Sequence, residues 1–300
     1  MQAPLKLFSR GFGITLSVVC IGFVLWRMNV LIPQIREHAD WSTVLGRLGL
    51  STLVYSVGCL ALALAWWILL RTFASPDISL LPAAQGHLRA QLAKYLPGNV
   101  FHIAARHIHA RADGSGHARL AYSAIAESMI LVMVAAMLSA SVPDEALPEI
   151  LRTFAVWRWP LLALLVVGVV GGIHFLALRQ TPRSDRRPRT SAAVGNLLGA
   201  VLCYFFFFVV ATIAFQVALG EHSQLLQVLI PVVAICWLGG FLVLGAPGGL
   251  GVREALFLGL LGPLVGDANA ILGALIFRGA TILGDVLMSL LGYWIGRNSG

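Results

Sequence analysis

Residues 11–32, 48–70, 118–140, 157–178, 192–219 and 268–296 form apolar runs long enough to cross a bilayer as helices. A backbone in hydrocarbon must satisfy its own hydrogen bonds, and an open chain does so as helix. This feature already restricts the fold to an all-α polytopic membrane protein. Composition agrees: of 300 residues, 58% are hydrophobic and only 11% charged, and mean hydropathy is +0.85. Soluble domains carry about 25% charged residues, and no stretch is polar enough to form one here.

Two segments break the pattern, at Lys94-Tyr95-Leu96-Pro97-Gly98-Asn99 and at Ala246-Pro247-Gly248-Gly249-Leu250-Gly251. Each sets a helix-breaking Pro-Gly in apolar sequence with charges after it, Arg106 in the first case and Arg253 with Glu254 in the second. Broken backbone at membrane depth is tolerated where protein covers it or water reaches it. Paired breaks at matching places in two halves point to a binding site in a transporter-like fold.

The halves match in order. A shift of roughly 150 residues lays the first apolar run on 157–178 and the second on 195–219. It also lays Pro97-Gly98 on Pro247-Gly248, and Glu127 one position from Arg278. The chain therefore divides into a first membrane repeat, 1–150, and a second, 151–300, within one integral-membrane domain. If each Pro-Gly hairpin enters and leaves on one side, each half crosses three times and the second half is inverted. The expected architecture is six full crossings plus two re-entrant hairpins, up to eight membrane segments, about a pseudo-two-fold axis.

Charge bias orients it. Arg179, Arg183, Arg186, Arg187 and Arg189 face one opposing charge, Asp185, while the loop holding Asp144, Glu145 and Glu149 is acidic. Positive loops stay cytoplasmic, which places both termini inside and the protein in the cytoplasmic membrane. The net charge of +8 follows from basic residues beside apolar runs, so it reads as topology and anionic-lipid contact rather than nucleic-acid binding. Cys20, Cys59, Cys203 and Cys236 sit in apolar runs without ligand spacing and read as small hydrophobes. No small-residue cleavage site closes the first run, which is expected to be a retained helix. Trp26, Trp41, Trp157, Trp159 and Trp294 read as interfacial anchors, and Phe205 to Phe208 as lipid-facing or packing sequence.

Around the first break, His102, Arg106, His109 and Asp113 recur at helical spacing on one face, with His87, His107 and His117 nearby. Metal binding there is opposed by the interleaved Arg106. The bland reading is a basic cytoplasmic surface against lipid headgroups. The sharper one is phosphate recognition, with Lys94 contributing and a helix starting at Asn99 aiming its amides at an anion. No metal or cofactor is expected.

An ionised group in a membrane span costs about 2.5–3.5 kcal/mol on insertion scales. Glu127, Arg253, Glu254, Arg278 and Asp285 accordingly need partners or water. They either line a polar cavity where arginines hold a lipid phosphate, or form structural ion pairs such as Glu127–Arg278 and Arg253–Glu254.

The Leu-flanked Pro97-Gly98 with its basic continuation, and above all Pro247-Gly248-Gly249-Leu250-Gly251-Val252-Arg253-Glu254 with the later Arg278, resemble the lysylphosphatidylglycerol synthase transmembrane (flippase-like) family. Asn99-Val100-Phe101-His102 departs from the Gly-rich continuation of that pattern. The resemblance spans nearly the whole chain, and its aminoacyl-lipid synthase domain has no counterpart before Gly300. It implies a flippase moving a phosphate-bearing polar lipid between leaflets: a phospholipid, an aminoacyl-phospholipid or a polyprenyl-linked lipid. The candidate substrate residues are Lys94, Pro97, Gly98, Arg106, Glu127, Pro247, Gly248, Gly249, Arg253, Glu254, Arg278 and Asp285. The expected partners are membrane lipids, with a lipid-synthesis enzyme as a further candidate.

No phosphate-binding Gly-x-x-x-x-Gly-Lys-Ser/Thr occurs, so direct ATP drive is not expected. Transport then runs downhill or on a gradient, with Glu127 or Asp285 as candidate proton carriers. No hydrolase or synthase motif marks the chain as an enzyme. Two other readings stand beside transport. One is a headgroup transferase using Glu127 or His102 as base, and the other is a non-transporting scaffold.

Overall fold

The computed structural model describes residues 40–95, 101–112, 116–144, 155–179, 190–220, 226–243 and 247–298, with positions 22, 25, 26, 29 and 152. Most of the run 11–32, Cys20, Pro97, Gly98, Asn99, Asp113, Glu145, Glu149 and the arginines from Arg183 to Arg189 lie outside the described residues.

The described residues are helical and contain no strand. In chain order the helices are α1 (Trp41–Phe73), α2 (Leu80–Arg89), α3 (Phe101–Ala112), α4 (His117–Ser139), α5 (Arg158–Leu178), α6 (Thr190–Leu219), α7 (Leu226–Leu242), α8 (Val252–Val265) and α9 (Asp267–Asn298). A 3₁₀ segment, Ala90–Tyr95, continues α2, and another, Pro247–Gly249, precedes α8. Among the described residues five helices, α1, α4, α5, α6 and α9, are long and apolar enough to cross a membrane.

Helix α1 begins seven residues before the apolar run suggests, because Asp40 caps it. The Asp40 carboxylate accepts from the Ser42 and Thr43 amides at 3.3 and 3.2 Å and from both hydroxyls. Its 33 residues extend about 50 Å at 1.5 Å per residue, well beyond the ~30 Å hydrocarbon core. The four hydrogen bonds lower the Asp40 pKa from the ordinary 3.8 to about 2. A depressed folded pKa gives stability that is complete above the unfolded value and is lost as pH falls through about 2. Asp40→Ala is therefore expected to lower the melting temperature at neutral pH, with the gap to wild type closing toward pH 2 in a thermal-unfolding series. A gap independent of pH would show that the cap acts without its charge.

Helices α1, α6 and α9 make the centre. The long α1 packs on α6 and α9, and its Ser51 hydroxyl donates to the Ala214 carbonyl of α6 at 2.7 Å. Aromatic rings fill the junction: Phe215 stacks on Phe257 at 4.2 Å, and Phe277 sets its edge against both. Tyr55 meets Phe207 and Phe277 edge-on at 6.3 Å, which fixes the ring that reaches the polar site below. The aromatic run of α6 divides by face: Tyr204, Phe207 and Phe208 are buried, while Phe205 and Phe206 point outward. Helix α5 packs on α4 and exposes Leu161, Leu164, Val167 and Val170, an apolar face suited to lipid.

Helices α1–α2–α3–α4 and α6–α7–α8–α9 each run long, short, short, long. Helix α2 lies against α9, and α7 lies against α4.

Candidate functional site

The second break explains its own glycines. Gly248 and Gly249 have φ of +57° and +72°, where side chains are strained. A Cβ on Gly249 would also lie 2.8 Å from Arg253 Nε and 2.9 Å from the Gly240 Cα. The backbone thereby lets the Arg253 side chain lie flat against Gly240 and Gly249. Glu254 faces back along the first turn of α8 and accepts from the Gly251 amide at 2.8 Å.

One cavity of about 120 Å³ has Lys94, Arg106, Glu127, Gly248, Arg253 and Arg278 among its walls. The 3₁₀ segment after α2 and helices α3, α4, α8 and α9 supply its charges. Glu254 and Asp285 stand behind the wall as partners of lining cations. Pro247 occupies the 3₁₀ turn beside it, and Pro97 and Gly98 fall outside the described residues.

Three ion pairs organise the lining. Arg106 on α3 donates to Glu127 Oε1 on α4 at 2.6 Å, and both side chains are more than nine-tenths buried. The Arg106 guanidinium also lies over the Trp66 ring at 4.7 Å and donates to His87 Nδ1 at 3.1 Å. Lys94 Nζ lies 2.7 Å from Asp285 Oδ2, a carboxylate with no exposed surface. Tyr95 donates its hydroxyl to the same oxygen, and Tyr55 lies 3.5 Å from the other. Arg278 donates from Nη1 to the Gly248 carbonyl at 2.8 Å, while its Nε stands 3.7 Å from Glu254 Oε1. That separation permits attraction and is too long for a hydrogen bond.

Arg253 is the odd charge. Four cations, Lys94, Arg106, Arg253 and Arg278, meet three carboxylates, Glu127, Glu254 and Asp285, among the described residues. Arg253 Nε, Arg106 Nε, Arg278 Nε and Arg278 Nη2 are buried without hydrogen-bond partners there. Buried donors normally find acceptors, so this lining is a donor-rich surface lacking them.

The nearby imidazoles add no charge. His87 and His102 lie outside the membrane-spanning helices. Burial first, and then the Arg106 charge, pushes His87 well below the ordinary imidazole pKa and His102 down to about 3. The expected histidine-bearing surface is thus corrected. His87 and Arg106 are buried, and His102 and Arg106 line the cavity, because α3 lies against α2 and α4. His107 and His117 do lie on the surface, stacked at 5.2 Å. The alternative pairings Glu127–Arg278 and Arg253–Glu254 are replaced by Arg106–Glu127 and Arg278–Glu254. No cluster of three or more His, Cys, Asp or Glu suited to a metal occurs among the described residues.

Sequence reasoning missed Tyr55, Trp66, Gln91 and Tyr95. Gln91 and Lys94 follow His87 at i+4 and i+7, a spacing that marks one helical face. The aromatics carry no such signal inside apolar runs.

Helices long and apolar enough to cross a membrane thus enclose a cavity lined by more cations than carboxylates, in an all-α membrane protein. No protein-family model and no curated protein sequence matches the chain.

Proposed function

We propose that this protein moves a phosphate-bearing polar lipid between the leaflets of the cytoplasmic membrane, holding the headgroup in the cavity while the acyl chains stay in lipid. The observation that carries this reading is the unbalanced fourth cation, Arg253, beside guanidinium donors with no acceptor. A phosphate oxygen is a strong acceptor, and the planar guanidinium fork matches it. A phosphodiester brings the negative charge and the acceptor oxygens that these donors lack.

In this reading the fold is an inverted repeat of six crossings and two Pro-Gly hairpins, with both termini cytoplasmic. Two observations support it. Element order repeats across the halves, and so does the ion pair between the short helix after each break and the long helix that follows. That pair appears with reversed polarity, as Arg106–Glu127 and as Glu254–Arg278. The likeness of Pro247 to Glu254 to the lysylphosphatidylglycerol synthase transmembrane family points the same way.

Vesicles reconstituted with the protein and a fluorescent phosphatidylglycerol test the function by accessibility of the label to a membrane-impermeant quencher. Wild type is expected to expose inner-leaflet lipid, and Arg253→Met to slow this at least tenfold, a loss of about 1.4 kcal/mol in binding the headgroup. Wild-type traces that match protein-free vesicles would sink the transport reading.

A further inference from the structure

The Lys94–Asp285 pair differs from the other two in how its members are placed. Asp285 is fully buried behind the wall, whereas Lys94 lies on the cavity surface with about a quarter of its side chain exposed. Lys94 can therefore turn to a ligand without any helix moving, but Asp285 cannot follow.

The polar chain behind Lys94 favours that turn. Arg106 donates to His87 Nδ1, so the neutral ring carries its proton on Nε2. That nitrogen lies 3.0 Å from Gln91 Nε2, also a donor, while Gln91 Oε1 accepts from Lys94 at 3.4 Å. Turning the amide over satisfies His87 and sets an N–H against the Lys94 ammonium. Gln91 serves one neighbour or the other, and its conflict ends when Lys94 swings away.

Asp285 would then keep the Tyr95 and Tyr55 hydroxyls and lose its cation. A buried carboxylate without a cation relieves its desolvation by taking a proton. The groups around it permit this. Tyr55 and Cys59 face it from α1, and Lys94 and Tyr95 from the 3₁₀ segment. Arg253 on α8 lines the cavity with both tyrosines, and Arg278 on α9 lies 5.7 Å from the Tyr95 ring. Arg278 is held to Gly248 and Glu254, and Arg89 on α2 donates to the Gly292 carbonyl. Helix α6 carries no charged side chain.

We propose that the Lys94–Asp285 pair is a proton-binding switch, in which an anionic headgroup draws Lys94 from Asp285 and the Asp285 carboxylate takes one proton from water. The switch rests on the phosphate-lipid reading and gives it an energy source, since one proton then accompanies each headgroup anion. The step balances: a carboxylate oxygen gains H⁺, and Lys94 keeps its charge while exchanging one anionic partner for another.

The test is calorimetric titration of the purified full chain in detergent with dihexanoyl phosphatidylglycerol, run in two buffers of different ionisation enthalpy. Wild type is expected to take up about one proton per ligand bound. Asp285→Asn and Lys94→Gln are each expected to bind with uptake abolished, the second because its Asp285 is protonated before the ligand arrives. Wild-type binding without proton uptake overturns the switch alone. So does uptake preserved in Asp285→Asn. If the probe fails to bind wild type, the phosphate reading falls and the switch with it.

Discussion

Glu127→Ala is expected to destabilise the protein by about 3–5 kcal/mol, because it leaves the buried Arg106 guanidinium without its carboxylate. Arg106 is 5% exposed and Glu127 6%. The remaining Arg106 contacts, the Trp66 face and His87 Nδ1, carry no formal negative charge. The double replacement Arg106→Met with Glu127→Leu removes both charges at similar volume and is expected to recover most of the loss, since apolar substitutes for a buried pair are often neutral or stabilising. Equilibrium unfolding in mixed micelles measures both. A single replacement costing under about 1 kcal/mol would place the pair in water, as surface pairs behave. Recovery of stability without recovery of lipid transfer would separate the pair's role in packing from its role at the cavity.

Much of the helix plan was legible in the sequence. Hydropathy placed α4 within one residue of its bounds because glycine flanks it at the N-cap, Gly116, and the apolar run ends at a turn. Helix α1 was misjudged at its start because its first turns are polar, and its beginning is set by the local Asp40 cap rather than by lipid. Glu127, Arg253, Glu254, Arg278 and Asp285 stood out because charge among apolar residues is expensive and needs compensation, and Lys94 and Arg106 because they flank the first Pro-Gly. Their partners were not legible, since pairing depends on which helices meet. Arg106 and Glu127 are joined by the packing of α3 on α4, and Lys94 and Asp285 by the packing of the 3₁₀ segment Ala90–Tyr95 on α9. The hairpin histidines misled because a short segment rich in His and Arg has the composition of a solvated face. Burial under α4 and beside Trp66 reverses that sense for His87 and Arg106. Tyr55 was invisible for the opposite reason: a tyrosine in an apolar helix looks like core until Asp285 is found beside its hydroxyl.

Arg278→Ala is expected to slow lipid transfer about a hundredfold, the effect of losing roughly 2–3 kcal/mol of charge-assisted hydrogen bonding. The side chain serves three directions together. Its Nη1 holds the Gly248 carbonyl, its charge offsets Glu254, and its Nη2 has no protein partner among the described residues. The first contact fixes a backbone turn that only a left-handed residue can make, and a Cβ on Gly248 would approach Nη2 to 3.3 Å. The turn and the free donor are therefore built as one unit. Arg278→Lys separates charge from shape. An ammonium keeps the attraction to Glu254 but cannot present separate donors to Gly248 and to a ligand, so an intermediate loss of about tenfold is expected. Initial rates in reconstituted vesicles, normalised to folded protein, read this order directly. If lysine restores the wild-type rate, the site needs a positive charge at that place and makes no use of the planar fork.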